Sequence, residues 1–120
     1  MTKERKVYSR YSFNRGLQTL WKGDAAVAGS RFRSVAITSD EFNSTRGVFQ
    51  VFALEGIGKG IKDGKFAGSE GEPKVLVDQD IGGLDAAGAR FNELVADAKA
   101  QGFTPITFMD IIEFESRLRS

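Results

Sequence analysis

The stretch Leu84 to Pro105, LDAAGARFNELVADAKAQGFTP, leaves this chain the least freedom. Leu84, Ala87, Phe91, Leu94, Val95 and Ala98 recur at three- and four-residue spacings, which on a 3.6-residue helix places them in one stripe. The pattern predicts a core-facing helix over Leu84 to Gln101, with Arg90, Glu93, Asp97, Lys99 and Gln101 outside the stripe. Gly102 can take the left-handed conformation that closes a helix, and Pro105 lies just beyond it. At the other end Gly82 and Gly83 break the preceding segment. Asp85 is placed either to cap the helix or to set its charge in the positive first turn.

Most of the remaining pattern reads as strands. Val7 to Phe13 alternates Val7, Ser9, Tyr11 and Phe13 against Tyr8, Arg10 and Ser12, a two-residue period rich in aromatic and β-branched residues. Asn14, Arg15 and Gly16 read as its turn, and Leu17 to Trp21 as the returning strand of a hairpin. Arg31 to Thr38 alternates as well, Phe32, Ser34, Ala36 and Thr38 standing opposite Arg33, Val35 and Ile37. Gly47 to Leu54, GVFQVFAL, is apolar on both faces and is expected in the centre of a sheet. Glu55 to Glu72 has six glycines in eighteen residues. That density predicts a long flexible connection or a hairpin with a ragged tip. Lys74 to Gln79 returns to strand, with Val75, Val77 and also Leu76 expected to be buried and Asp78 and Asp80 at its end. After Pro105, Thr107 with Asp110 resembles a capping box, and Phe108, Ile111, Ile112 and Leu118 fit a short final helix, a strand over Ile106 to Phe114 being the alternative. The order favours a single α+β domain: an antiparallel sheet of about four or five strands, one main helix packed on one face, and a short C-terminal helix.

Composition narrows the chemistry. The 120 residues include no cysteine and no histidine, which removes thiol nucleophiles, disulfides, thiolate zinc sites, Ser-His-Asp machinery and the one side chain that titrates near neutrality. No catalytic motif remains, so the expectation is a non-enzyme with no cofactor and no metal. No apolar run reaches signal-peptide or membrane-span length, making a cytoplasmic protein with no membrane partner the default. The formal net charge of +1 conceals a division: residues 1–60 hold ten Lys and Arg against five Asp and Glu, residues 61–120 seven against eleven. Such asymmetry acts as a surface dipole only where the basic residues share a face.

Several short stretches invite a chemical reading. Gly56, Gly58 and Gly60 follow a strand as phosphate-cradling glycines do, but the spacing is not GxGxxG and no helix follows, so a hairpin loop is the stronger reading. Lys59 and Lys62 could still lie along a polyanion. Asp78, Asp80 and Asp85 could hold a hard cation, although acids at strand ends and helix starts are favoured locally anyway. Asp110, Glu113 and Glu115 read as a solvated face. The basic first third is the most suggestive part, since Arg5, Lys6, Arg10, Arg15, Lys22, Arg31 and Arg33 interleave with Tyr8, Tyr11, Phe13, Trp21 and Phe32. Cations for phosphates and rings for stacked bases suit nucleic acid. The same alternation also arises in any half-buried strand whose rings face a core.

Ala87, Phe91, Lys99 and the Gly102-Phe103-Thr104-Pro105 ending, preceded by strands and a glycine-rich stretch, resemble the C-terminal half of a WGR domain, a small nucleic-acid-associated module. The resemblance covers roughly Arg31 to Pro105. The Trp-Gly-Arg motif is absent: Trp21 is followed by Lys22-Gly23, and EGIGKG stands where the motif is expected. The resemblance implies DNA or RNA end binding through the sheet and loops. The leading expectation is therefore non-catalytic binding of nucleic acid, single-stranded or without sequence preference, with Arg10, Arg15, Arg31 and Arg33 on phosphates, Tyr8 and Tyr11 stacking on bases, and Lys59 and Lys62 assisting. The alternative is a protein-interaction or homo-oligomerising module using a sheet edge or the AAVA segment.

Overall fold

The structure, a computed structural model, describes residues 13–39, 47–62, 65–66 and 68–105. Within them the chain forms β1 (Phe13–Lys22), β2 (Arg31–Ser39), β3 (Val48–Ile57), β4 (Ile61–Lys62), β5 (Lys65–Phe66), β6 (Lys74–Gly82), the helix α1 (Leu84–Ala100) and β7 (Thr104–Pro105). Five strands make one antiparallel sheet in the order β6-β3-β2-β1-β7, and β4 pairs with β5 in a separate hairpin. This is the expected α+β arrangement of sheet and packed helix. The C-terminal helix expected around Thr107 to Leu118 lies outside the described residues.

The helix packs as its spacing requires. Ala87, Leu94, Val95 and Ala98 are buried with Leu20, Val35, Ile37, Phe49, Val51, Ala53 and Phe103, while Phe91 is partly buried against them. Leu84, at the stripe's first position, is 57% exposed. The N-cap is Gly83 without a side-chain cap, and Asp85 instead contributes charge to the first turn. At the far end the Phe103 N–H donates to the Ala98 carbonyl and the Gly102 N–H to that of Lys99, with Gly102 at φ 96°. That is a Schellman closure. It drives the Phe103 ring into the core and lets Thr104 and Pro105 pair as β7 with Trp21 and Leu20 of β1.

Two expectations are corrected here. Asn14, Arg15 and Gly16 do not form a turn; they run within β1, where the register shifts once between Asn14 and Gly16. Gly16 is required by proximity, since a Cβ there would stand 2.9 Å from Ile37 Cγ2. The segment before Phe13, with Tyr8, Arg10 and Tyr11, lies outside the described residues. The second correction concerns β6. Val75 and Leu76 are 47% and 38% exposed, because β6 is an edge strand and only Val77 and Ile81 lean into the core. A register irregularity opposite Ala53/Leu54 leaves Leu76 without a partner on β3. Bulges and charged side chains on an edge oppose pairing with further strands.

β3 is central and buried on both faces, as its composition demands. The face away from α1 carries Ala36, Phe52 and Leu54 with Leu17 packed against them, and a polar seam. Thr19 and Ser34 share a hydrogen bond there, and Thr38 donates to Gln50, whose amide donates to Asp78. Buried polar groups tolerate that environment only when satisfied in this way.

Candidate nucleic-acid interface

The antiparallel register brings one end of every main strand to one end of the sheet. Lys22 at the close of β1 stands opposite Arg31 at the start of β2, Arg31 opposite Ile57 at the close of β3, and Lys74 at the start of β6 opposite Glu55. Lys59 follows β3 by two residues, held beside β2 by the Gly58 N–H donating to the Ser30 carbonyl at 2.7 Å. Lys99 sits in the last turn of α1, and Gly102, just beyond that turn, approaches Lys22, whose Cε would lie 3.3 Å from a Cβ built there. Lys22, Arg31, Lys59, Lys74 and Lys99 are all exposed.

Glu55 organises this end. It accepts from Arg31, and from Arg33 Nε at 2.8 Å, while Arg33 also reaches Asp97 of α1 at 3.4 Å. The Arg33 side chain is only 14% exposed and lies over the Phe103 ring at 5.0 Å, with the Lys22 ammonium 5.4 Å from the same centroid. Arg33 thus pins the helix to the sheet, and its charge is spent inside the fold. Burial alone would raise the Glu55 carboxyl, but the hydrogen bonds and charges of Arg31 and Arg33 outweigh it and hold the group below its ordinary value. A carboxyl depressed in the folded state contributes stability that is present above its unfolded pKa and lost as pH falls through the folded one. Glu55→Gln is therefore expected to flatten the acid limb of the stability curve below about pH 4.5. Urea titrations at pH 3 and pH 7 check this; an equal acid loss in both proteins refutes the assignment.

The described residues of the glycine-rich segment pair as a hairpin, one of the two arrangements expected for it. Gly58 bridges Ser69, the Lys59 N–H donates to the Gly68 carbonyl, and the Glu70 N–H donates to that of Ile57. The turn after β1, capped by Asp24 accepting from the Ala26 N–H, docks against it. Gly29 N–H donates to the Gly58 carbonyl, and Gly60, at φ 80°, lies so close to Ala26 and Ala28 that a Cβ would meet their backbone atoms at 2.8 and 2.7 Å. Beneath them Trp21 and Phe32 are 1% and 0% exposed with ring centroids 5.4 Å apart. A Cβ on Gly58 would stand 2.7 Å from the Trp21 ring.

The expected contact residues therefore divide. Arg31 and Arg33 come together on one face, Arg31 at the surface and Arg33 mostly enclosed. Arg15 stands at the opposite end of the sheet, donating Nε to Ser39 Oγ at 2.9 Å. Lys59 joins Arg31; the Lys62 side chain, Tyr8, Arg10 and Tyr11 lie outside the described residues. Trp21 and Phe32 form core and offer no stacking surface. Sequence reasoning counted Lys22 among the basic residues of the first third but passed over Lys74 and Lys99, which are far from it in the chain and reach the same end of the sheet only through strand register and helix packing. Among the described residues no group of three acidic side chains is arranged to hold a metal ion, and no helix is long and apolar enough to cross a membrane.

Compared with known proteins, the chain matches no protein-family model, no curated protein and no solved structure.

Proposed function

We propose that this chain is a non-catalytic nucleic-acid-binding module whose contact surface is the sheet end bearing Lys22, Arg31, Lys59, Lys74 and Lys99. The observation that carries the reading is the alignment of Lys22, Arg31, Lys59 and Lys74 on or just beyond neighbouring strands about 4.8 Å apart, with Lys99 in the last turn of α1. None of the four lysines makes an ion pair among the described residues, and the carboxylates that would compete most directly, Glu55 and Asp97, are held by Arg31 and Arg33. Ammonium groups that are not held in ion pairs are suited to displacing counterions from phosphates, the step that supplies most non-specific affinity for nucleic acid. The resemblance of the Gly102–Pro105 helix ending to a WGR domain points in the same direction.

Fluorescence anisotropy with labelled single- and double-stranded oligonucleotides tests the reading. Engagement of three or four phosphates gives log affinity falling against log salt with a slope of about −2 to −4. Lys22→Glu with Lys59→Glu is expected to weaken binding at low salt by more than about tenfold, while thermal stability changes little because neither side chain is buried. Absence of binding at low salt removes the proposal. Arg33→Glu is unsuitable for this test, since it places a third carboxylate beside Glu55 and Asp97.

A further inference from the structure

The turn joining β1 to β2, residues 23–30, holds an apolar side chain out to water at the cationic end of the sheet: Val27, 54% exposed, with Ala25, Ala26 and Ala28 around it. The turn is built, not loose. The Val27 N–H donates to the Asp24 carbonyl at 2.9 Å and the Ser30 N–H to that of Val27 at 3.3 Å, two β-turns back to back. Asp24 Oδ1 accepts from the Ala26 N–H at 3.0 Å, and Gly60 packs behind the backbone of Ala26 and Ala28. A side chain fixed in this way is preorganised for contact. Lys22 and Arg31 are the last cross-strand pair before the turn, and Lys59 lies between two glycines that touch it. Gly58 gives both its N–H and its carbonyl to the turn side, at Ser30 and Gly29, whereas Ile57 and Lys59 bond Glu70 and Gly68 on the opposite edge of the same segment. The main chain of the acidic stretch at Glu70 is thus two strand spacings, about 10 Å, from the turn. Of the nearer acids, Glu55 is held by Arg31 and Arg33, and Asp24 is folded onto the turn itself.

We propose that Val27 enters the minor groove of a B-form DNA duplex, with Lys22 and Lys59 on the bordering phosphates, and that it favours grooves lacking the guanine 2-amino group. The inference rests on the nucleic-acid reading above and deepens it. One valine and three alanines bury too little apolar area to hold a bilayer, and an aliphatic tip gives an unpaired base no ring to stack on. A groove about 6 Å wide admits one β-branched side chain, and the small alanines beside it leave room for the groove walls. Apolar side chains inserted there, with cations alongside, are a general mode of minor-groove binding. The side chains at the tip neither donate nor accept hydrogen bonds. Every base pair presents acceptors on the floor of the minor groove, and guanine adds an amino group that projects from it. An apolar tip would strip that group of water and return no partner. A·T pairs, and inosine·cytosine pairs, which also lack the amino group, avoid this cost.

The test compares affinities of the full chain for fluorescein-labelled duplexes of one length with A·T, inosine·cytosine or G·C cores, at one low salt concentration. Inosine·cytosine keeps the major groove of G·C and has the minor groove of A·T, so its grouping identifies the groove. The expected result is that A·T and inosine·cytosine bind alike, each about fivefold tighter than G·C. Val27→Ser should bring the three within about twofold, because a hydroxyl can accept from the amino group, and should leave the salt slope unchanged because no charge is altered. Val27 is exposed, so this variant is expected to fold, and circular dichroism verifies that it does. Equal binding of all three duplexes, inosine·cytosine grouping with G·C, or selectivity unchanged in Val27→Ser overturns the insertion and leaves the nucleic-acid reading standing if the salt slope persists. Binding of single strands alone does the same. Sedimentation with phosphatidylserine vesicles without binding of any oligonucleotide overturns both, as does failure of every oligonucleotide to bind.

Discussion

Replacing Trp21 with alanine is expected to cost about 3–5 kcal/mol of folding stability. The side chain is 1% exposed, tilted against Phe32, and covered by the backbone at Gly58. The cavity cannot collapse easily. Its walls are Phe32 and a strand end fixed by hydrogen bonds from Gly58 to Ser30 and from Gly29 to Gly58. A domain of this size has roughly 6–18 kcal/mol in total at the usual stability per residue, so the variant loses a large share. Urea denaturation measures it, and a loss below about 1 kcal/mol would contradict the packing. As the chain's single tryptophan, Trp21 also reports on binding: its emission is expected to be blue-shifted and to stay unquenched when oligonucleotide is added. Strong quenching on binding would show a ring that stacks on bases.

Gly60→Ala has the second-largest expected effect, of a different kind. The position takes φ 80°, a conformation costing an L-residue about 1–2 kcal/mol, and the added methyl would meet the backbone of Ala26 and Ala28, which cannot rotate away as a side chain would. The hairpin and the turn after β1 are expected to separate at a cost of about 2–3 kcal/mol. The opening should be local, because α1 and the core of the sheet make no use of Gly60. Hydrogen exchange decides: faster exchange at Gly29, Gly58 and Lys59 with unchanged protection in α1 supports the assignment, whereas uniform loss of protection refutes it.

The helix and the central strand were legible because each follows from a local rule: a 3.6-residue stripe closed by Gly102, and a run apolar on both faces. The β6 error arose from the same rule, since an apolar VLV run does not reveal which side of a sheet has a neighbour. Gly16 misled for another reason. Glycine serves both turns and close approach, and only the packed Ile37 side chain distinguishes the two. The candidate site was the least legible part. Arg33 shares its parity with Val35 and Ile37, which was visible, but its partners Glu55 and Asp97 lie 22 and 64 positions away. Charge pairing at that separation is set by register, and register is a property of the assembled sheet.

The β1–β7 contact bears on how the chain reaches this state. β1, β2 and β3 are sequential neighbours and can pair through short excursions, but Thr104 meets the Trp21 carbonyl across 83 positions. Closing a loop of that length is entropically unfavourable until α1 already lies on the sheet. β7 is therefore expected to close last. In stopped-flow refolding the burial of Trp21 should precede the protection of Phe103, with early molecules holding a formed meander and an undocked helix end. Until that end docks, Arg33 has neither Asp97 nor the Phe103 ring, and the lysine row lacks Lys99.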